Sequence, residues 1–158
     1  MAVKLAASMG AEVTMLSTSK AKEADARRLG AHEFALSSDE ATFKKLAGRF
    51  DVIVDAISAP HDLNAYLGLL RTTGTLAMVG VPPKAVPVHA FSVIQGNKTL
   101  AGSMIGGIAE TQEMLDYCGK REIASDVEVI PIQKINEAYE RMIKGDVRYR
   151  FVIDLKTL

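Results

Sequence analysis

The sequence predicts an α/β protein built on a doubly wound, mostly parallel sheet that lacks its first strand and glycine loop. Three observations carry this. Short apolar, β-branched segments alternate with amphipathic helical segments along the whole chain. Glycine or proline punctuates the junctions, as at Gly10, Gly30, Gly48, Gly80 and Pro131. The chain also opens in a helical pattern with no N-cap signal, so a strand is expected before Met1.

Taken in order, Met1 to Met9 has helical spacing at Val3, Leu5, Ala6 and Met9, and Gly10 ends it. Glu12 to Leu16 reads as a strand, and Ser17-Thr18-Ser19 as a turn. Lys20 to Leu29 reads as a helix with Ala21, Ala24 and Leu29 inward. Glu33 to Leu36 is a short strand, and Ser38 starts a helix through Leu46. Asp51 to Asp55 is an apolar run between acids, the pattern of a strand covered on both faces. A helix follows to about Leu70, then a tight turn at Arg71–Gly74, then a buried strand from Thr75 to Val79. Pro82, Pro83 and Pro87 make the next stretch a loop, and Ala90 to Gln95 supplies a helical turn or two. Thr99 to Ile105 is a strand, and Ala109 to Lys120 a helix with Met114, Leu115 and Cys118 inward. Val127–Ile130 and Tyr149–Ile153 are strands around a helix at Ile135–Lys144, whose inward face is Ile135, Ala138, Tyr139 and Met142. Right-handed crossovers wind such an alternation on both faces of one sheet.

Composition bounds the function. The 158 residues are enough for one core, with 48% hydrophobic and 24% charged residues. A net charge of zero argues against nucleic acid or an anionic membrane held through bulk charge. No apolar run reaches spanning length, and the first residues lack the pattern of a signal peptide. A single cysteine, Cys118, excludes an internal disulfide and points to a reducing, cytoplasmic setting. His32, His61 and His89 are scattered in turn-like contexts with no metal-ligand spacing.

In doubly wound sheets ligands sit at the carboxyl ends of the strands. Here those ends carry Ser17, Thr18 and Ser19, then Ala56, Ile57 and Ser58, then Gly80, Val81 and Pro82, then Gly106 and Gly107. No carboxylate pair and no Ser/His/Asp or Cys/His set accompanies them; Asp55 reads as the cap of the following turn. Such a rim suits a ligand that brings its own reactivity. The turn Ser17–Lys22 is its most informative part. An acid at the end of the second βαβ strand takes the ribose hydroxyls of NAD, whereas hydroxyls and a cation suit the 2′-phosphate of NADP. Ser17, Thr18, Ser19, Lys20 and Lys22 precede any acid. A plain N-cap for the following helix is the alternative reading. The loop G-x-G-x-x-G is absent.

Residues 11–34, AEVTMLSTSKAKEADARRLGAHEF, and 50–82, FDVIVDAISAPHDLNAYLGLLRTTGTLAMVGVP, together with GSMIGG-x-x-ETQEML and NEAYERM-x-x-GDVRYRFVID, resemble the carboxyl-terminal half of zinc-type medium-chain alcohol dehydrogenases. The resemblance is strongest to the NADP-dependent cinnamyl-alcohol-dehydrogenase-like branch and spans essentially the whole chain. It implies a Rossmann-like NADP(H)-binding domain over residues 1–125, with 126–158 completing it and returning toward a catalytic domain. Ser17, Thr18, Ser19 and Lys22 match the 2′-phosphate site, with Lys20 beside it. Val79, Gly80 and Val81 match the loop along the nicotinamide ribose. Ser103, Met104 and Ile105 match the segment that holds the carboxamide, and Arg148 and Arg150 come near the cofactor cleft. Thr99–Ile105 resembles the edge strand through which two such domains pair as a homodimer. The implied reaction passes hydride between NADP(H) and a primary alcohol or aldehyde. The family's zinc ligands, proton relay and glycine loop belong to its amino-terminal half, so this chain is expected to lack a complete site and to be inactive alone. The alternative is a non-catalytic fragment serving at most as an NADP-binding or dimerisation module. The expected missing strand is the central one, so the sheet must re-pair, be filled by another chain, or be marginal in stability.

Overall fold

A computed structural model describes all 158 residues, Met1–Leu158. Helices and strands alternate as the sequence predicts: α1 (Ala2–Ser8), β1 (Thr14–Ser17), α2 (Glu23–Arg28), β2 (Glu33–Leu36), α3 (Glu40–Lys45), β3 (Phe50–Asp55), α4 (Leu63–Leu69), β4 (Leu70–Met78), α5 (Ala90–Ile94), β5 (Thr99–Gly102), α6 (Ile108–Lys120), β6 (Glu128–Pro131), α7 (Ile135–Ile143) and β7 (Phe151–Asp154). The helix starts follow side-chain chemistry. The Asp39 carboxylate accepts from the Ala41 N–H at 2.9 Å, so Asp39 caps α3 in place of the expected Ser38. Asp62 caps α4 through the Asn64 N–H at 3.0 Å. At the end of α2, Gly30 has a φ of +106°, and a Cβ there would lie 3.1 Å from that of Ala7. That glycine lets α1 and α2 approach closely.

All ladders are parallel, but they form three sheets, β1-β2, β3-β4-β5 and β6-β7. The expected single sheet is divided where the central strand of the doubly wound order belongs. No ladder joins β1 to β3. Side chains join them instead. Leu46, Leu63, Tyr66, Leu67, Leu69, Leu70 and Leu76 form the core, and Leu16 of β1 and Ala35 of β2 pack against it. At the amino ends of the strands, Arg49 bonds Glu33 at 2.9 Å and Glu12 at 3.4 Å.

Several expectations need correction. Val52 and Val54 are 60% and 54% exposed, so β3 is not covered on both faces. Arg71–Gly74 is not a turn between elements but a bulge inside β4, since Phe50 pairs with Leu70 and Val52 with Thr75. The Lys20–Leu29 helix begins as a 3-10 turn at Lys20–Lys22, and its buried residue is Ala26, while Ala21 and Ala24 face solvent. On α6 only Cys118 is buried, with Met114 and Leu115 exposed; on α7 Ala138 is buried and Tyr139 exposed. The 99–105 strand stops at Gly102, and the strand expected at Glu12 begins at Thr14. Periodicity predicted the amphipathic pattern, but the faces these residues were expected to bury have few neighbours. The chain exposes 10823 Å², where a compact monomer of its mass exposes about 7,700 Å².

The carboxyl-terminal segment is fastened to α1 and α2 by charge. Asp126 accepts from Lys4 and from Arg28, each at 2.6 Å, and Arg148 pairs with Asp25 at 3.0 Å. The Lys4 hydrogen bond, followed by that of Arg28, holds the Asp126 carboxyl below its usual range. A carboxyl depressed in the folded state stabilises above its unfolded pKa and loses that contribution as pH falls through the folded value. Urea titrations of Asp126→Asn between about pH 2 and pH 4 will therefore show a shallower acid loss of stability than the unaltered chain; equal slopes would remove Asp126 from that role.

Candidate functional site

The carboxyl ends of β1, β3, β4 and β5 carry the predicted residues. Ser17 closes β1, and its carbonyl accepts from the Ser37 N–H at 3.0 Å, extending the β1–β2 ladder. The Ser17 hydroxyl turns back to accept from the Ser19 N–H at 3.3 Å. Ser19 is extended (φ −118°, ψ 116°) and precedes the 3-10 turn, but its side chain makes no capping bond. Thr18, Lys20 and Lys22 are exposed. Neither lysine has an acidic partner within ion-pair distance; Glu23, which lines the same concavity as Lys20, lies 3.8 Å from Arg27. The turn thus presents two cations outside any ion pair beside three hydroxyls, a donor set suited to a phosphate dianion. A concavity of about 260 Å³ lies between α2, β2 and α3 and meets this turn only at Lys20.

The β3 and β4 ends form one locked unit around Asp55, which is 4% exposed. Its backbone carbonyl accepts from the N–H groups of Val79 at 2.8 Å and Gly80 at 3.0 Å. One carboxylate oxygen accepts from the Ile57 N–H at 3.0 Å, the turn cap expected from the sequence. The other meets His61 Nε2 at 2.9 Å, while Nδ1 of the same ring lies 2.9 Å from the Ala59 carbonyl. The Asp55 carboxylate and the Ala59 carbonyl thus hold the ring at both of its nitrogens. Tyr66 packs edge-on to the ring, 5.6 Å between centroids. Ser58 Oγ accepts from the Val81 N–H at 3.4 Å. A Cβ on Gly80 would fall 2.5 Å from the Ile57 carbonyl oxygen, so only glycine permits this contact of the two loops. Val79 and Val81 point outward, 45% and 80% exposed.

At the β5 end, the Ser103 N–H donates to the Met78 carbonyl at 3.0 Å, and Met104 and Ile105 stand exposed beyond it. Glu110 folds back to accept from the Gly107 N–H at 2.8 Å, so α6 starts with half a capping box, glycine having no side chain to complete it. Arg150 sits before β7, 3.8 Å from the Met142 sulfur and without contact to the Ser17–Lys22 turn, whereas its neighbour Arg148 reaches α2. His61 is the residue that sequence reasoning passed over. A histidine six positions after a strand-end aspartate carries no motif, and only the fold of the intervening turn brings them together. No three His, Cys, Asp or Glu side chains converge as a metal site requires.

Alternating parallel βα units with a hydroxyl- and backbone-lined rim at the strand ends define a Rossmann-like cofactor-binding fold. The chain belongs to the zinc-binding dehydrogenase family, whose sequence profile matches residues 1–120. It is 52% identical over 157 residues to "NADP-dependent alcohol dehydrogenase C 1" of Mycolicibacterium smegmatis, covering 99% of this chain and 45% of that protein. It is 51% identical over 158 residues to "Probable formaldehyde dehydrogenase AdhA" of Bacillus subtilis, again 45% of that protein. Among solved structures, the cinnamyl alcohol dehydrogenase SbCAD4 of Sorghum bicolor superposes with a TM-score of 0.94 at 41% identity, over 99% of this chain and 44% of its own. The protein named CAD from Helicobacter pylori, solved in complex with NADP(H), gives 0.85 at 39% identity over 99% of this chain and 44% of its own. The chain therefore spans a little under half the length of these relatives.

Removing one member of the Asp55–His61 pair leaves a buried carboxylate without its partner. His61→Ala is expected to cost about 3 kcal/mol of unfolding free energy, read from urea denaturation. A loss within a few tenths of a kcal/mol would show that the pair does not hold the rim.

Proposed function

We propose that this chain is the cofactor-binding half of an NADP-dependent alcohol dehydrogenase. In that enzyme hydride passes between NADP(H) and a primary alcohol or aldehyde. The observation that carries the reading is the pair of unpartnered lysines, Lys20 and Lys22, beside Ser17, Thr18 and Ser19 at the carboxyl end of β1. The charge and donors there fit a 2′-phosphate, and the turn itself holds no acid between Ser17 and Lys22 to take a bare ribose. The names of the M. smegmatis and H. pylori proteins point to the same cofactor.

In this reading the lysines and hydroxyls anchor the phosphate end. Val79, Gly80 and Val81, held by Asp55 and Ser58, set the wall along the nicotinamide ribose. Ser103, Met104 and Ile105 offer backbone groups to the carboxamide. Arg150 is assigned to the cleft on the family resemblance. The nicotinamide supplies the hydride chemistry when bound. This chain's residues do not fit the family's zinc, so no step is assigned through it. The proposed division is a cofactor domain over 1–125 and a segment, 126–158, that closes on it.

A second reading, a dimerisation module without turnover, is favoured by one observation. β5 pairs on one side only, and beyond it Met104, Ile105 and Ile108 are each 90% or more exposed. Pairing of two copies through Thr99–Ile105 would cover them.

Titration of the 158-residue chain with NADPH and NADH, followed by nucleotide fluorescence, tests the main reading. NADPH is expected to bind at least about tenfold more tightly, and Lys20→Ala with Lys22→Ala to erase the difference. Equal affinities in the unaltered chain would overturn the assignment of the turn. The chain alone is expected to show no turnover with NADPH and an aldehyde, and turnover at a normal enzymatic rate would refute the view that it is half a site.

A further inference from the structure

We infer that His61 is a positioning residue for the nicotinamide half of the cofactor: acting through Asp55, it fixes the turn from which the Val79–Val81 wall hangs. The inference rests on the reading of that wall as the side of the nicotinamide ribose. The N–H groups of Val79 and Gly80 both donate to the Asp55 carbonyl, and that of Val81 donates to Ser58 Oγ. The hydrogen bonds that anchor the wall thus all end on residues 55 and 58. Gly80 also rests against the Ile57 carbonyl, where a Cβ would come within 2.5 Å of the oxygen. A wall that meets its ligand through the backbone has no side chain to adapt, so its position must be set before the ligand arrives.

His61 closes that turn from the inside. Its two ring nitrogens tie the Asp55 carboxylate, at the start of the turn, to the Ala59 carbonyl near its end, each at 2.9 Å. The His61 side chain is only 9% exposed and that of Asp55 2%. The ring's own place is set by the core. Tyr66 meets it edge-on at 5.6 Å and is itself packed edge-on against Phe43 at 5.3 Å. Helix α4 starts two residues after His61, under the Asp62 cap. Besides His61, the Asp55 carboxylate has one partner, the Ile57 N–H. A buried carboxylate that loses one of its partners turns toward water, and the turn and the wall move with it. The Ser17–Lys22 turn lies on a different sheet and shares none of these bonds. Loss of the His61 contact therefore acts on one half of the site.

The test compares His61→Asn and His61→Gln in the 158-residue chain. Both place an amide in the turn, but only the longer glutamine reaches the Asp55 carboxylate with an N–H. Two probes separate the ends of the site: NADPH, and adenosine 2′,5′-bisphosphate, which carries the phosphate end alone. Amide hydrogen exchange reports on the wall itself. The asparagine variant is expected to bind NADPH about tenfold more weakly, with binding of the bisphosphate unchanged. Its exchange at Val79 and Gly80 is expected to speed at least about tenfold relative to Leu76 and Ala77. The glutamine variant is expected to hold all of these within about threefold of the unaltered chain. A merely structural role would weaken both probes together and speed exchange along the whole of β4. That result, or asparagine and glutamine behaving alike, would overturn the proposal. If the unaltered chain does not bind NADPH, the cofactor reading fails, and exchange at Val79 and Gly80 still decides whether His61 sets the wall. If the asparagine variant does not fold, the glutamine variant decides alone: native NADPH affinity and exchange uphold the role, and weakened NADPH binding in a folded chain overturns it.

Discussion

The rest of the structure depends on a cluster of leucines under a divided sheet. Leu63, Leu67, Leu69, Leu70 and Leu76 are essentially removed from solvent. Full burial of five such side chains contributes on the order of 10 kcal/mol of transfer free energy, comparable to the whole net stability of an ordinary domain. The cluster is also what joins β1-β2 to β3-β4-β5, because no backbone ladder does. Leu16 and Ala35 reach it from one half-sheet, and Ile53, Met78 and Leu100 from the other. Orientation between the half-sheets therefore rests on side-chain packing, with Arg49 and its two glutamates tying the amino ends.

The rim inherits its shape from that arrangement. Asp55 is where core and rim meet, at the last residue of β3. Its carbonyl carries the start of the β4 loop, and its carboxylate carries the turn and His61. The 2′-phosphate candidate at Ser17–Lys22 sits on the other half-sheet. The two parts of the proposed cofactor site are thus held by different sheets, and the leucine cluster between them sets how they sit.

Much of this was legible in the residues. The alternation of elements, the strand at Glu33–Leu36, the Asp55 cap and the hydroxyl–lysine turn all follow from short-range chemistry. The parallel pairing expected of the strands is present, within three separate sheets. The errors in burial share one origin. Burial of Val52, Val54, Leu115 and Tyr139 was inferred from pattern, and pattern assumes a neighbour on the apolar side. Where the neighbour is absent, an apolar face remains apolar and becomes surface.

The sequence by itself determined the family, the parallel α/β alternation and the chemistry available at each strand end, because these depend on residue type and on spacing within a few positions. Only the tertiary structure decided the division of the sheet, the docking of the carboxyl-terminal segment through Asp126, and the meeting of His61 with Asp55. Each of those depends on which distant segments come within hydrogen-bonding or packing distance, and a local pattern of residues does not encode that.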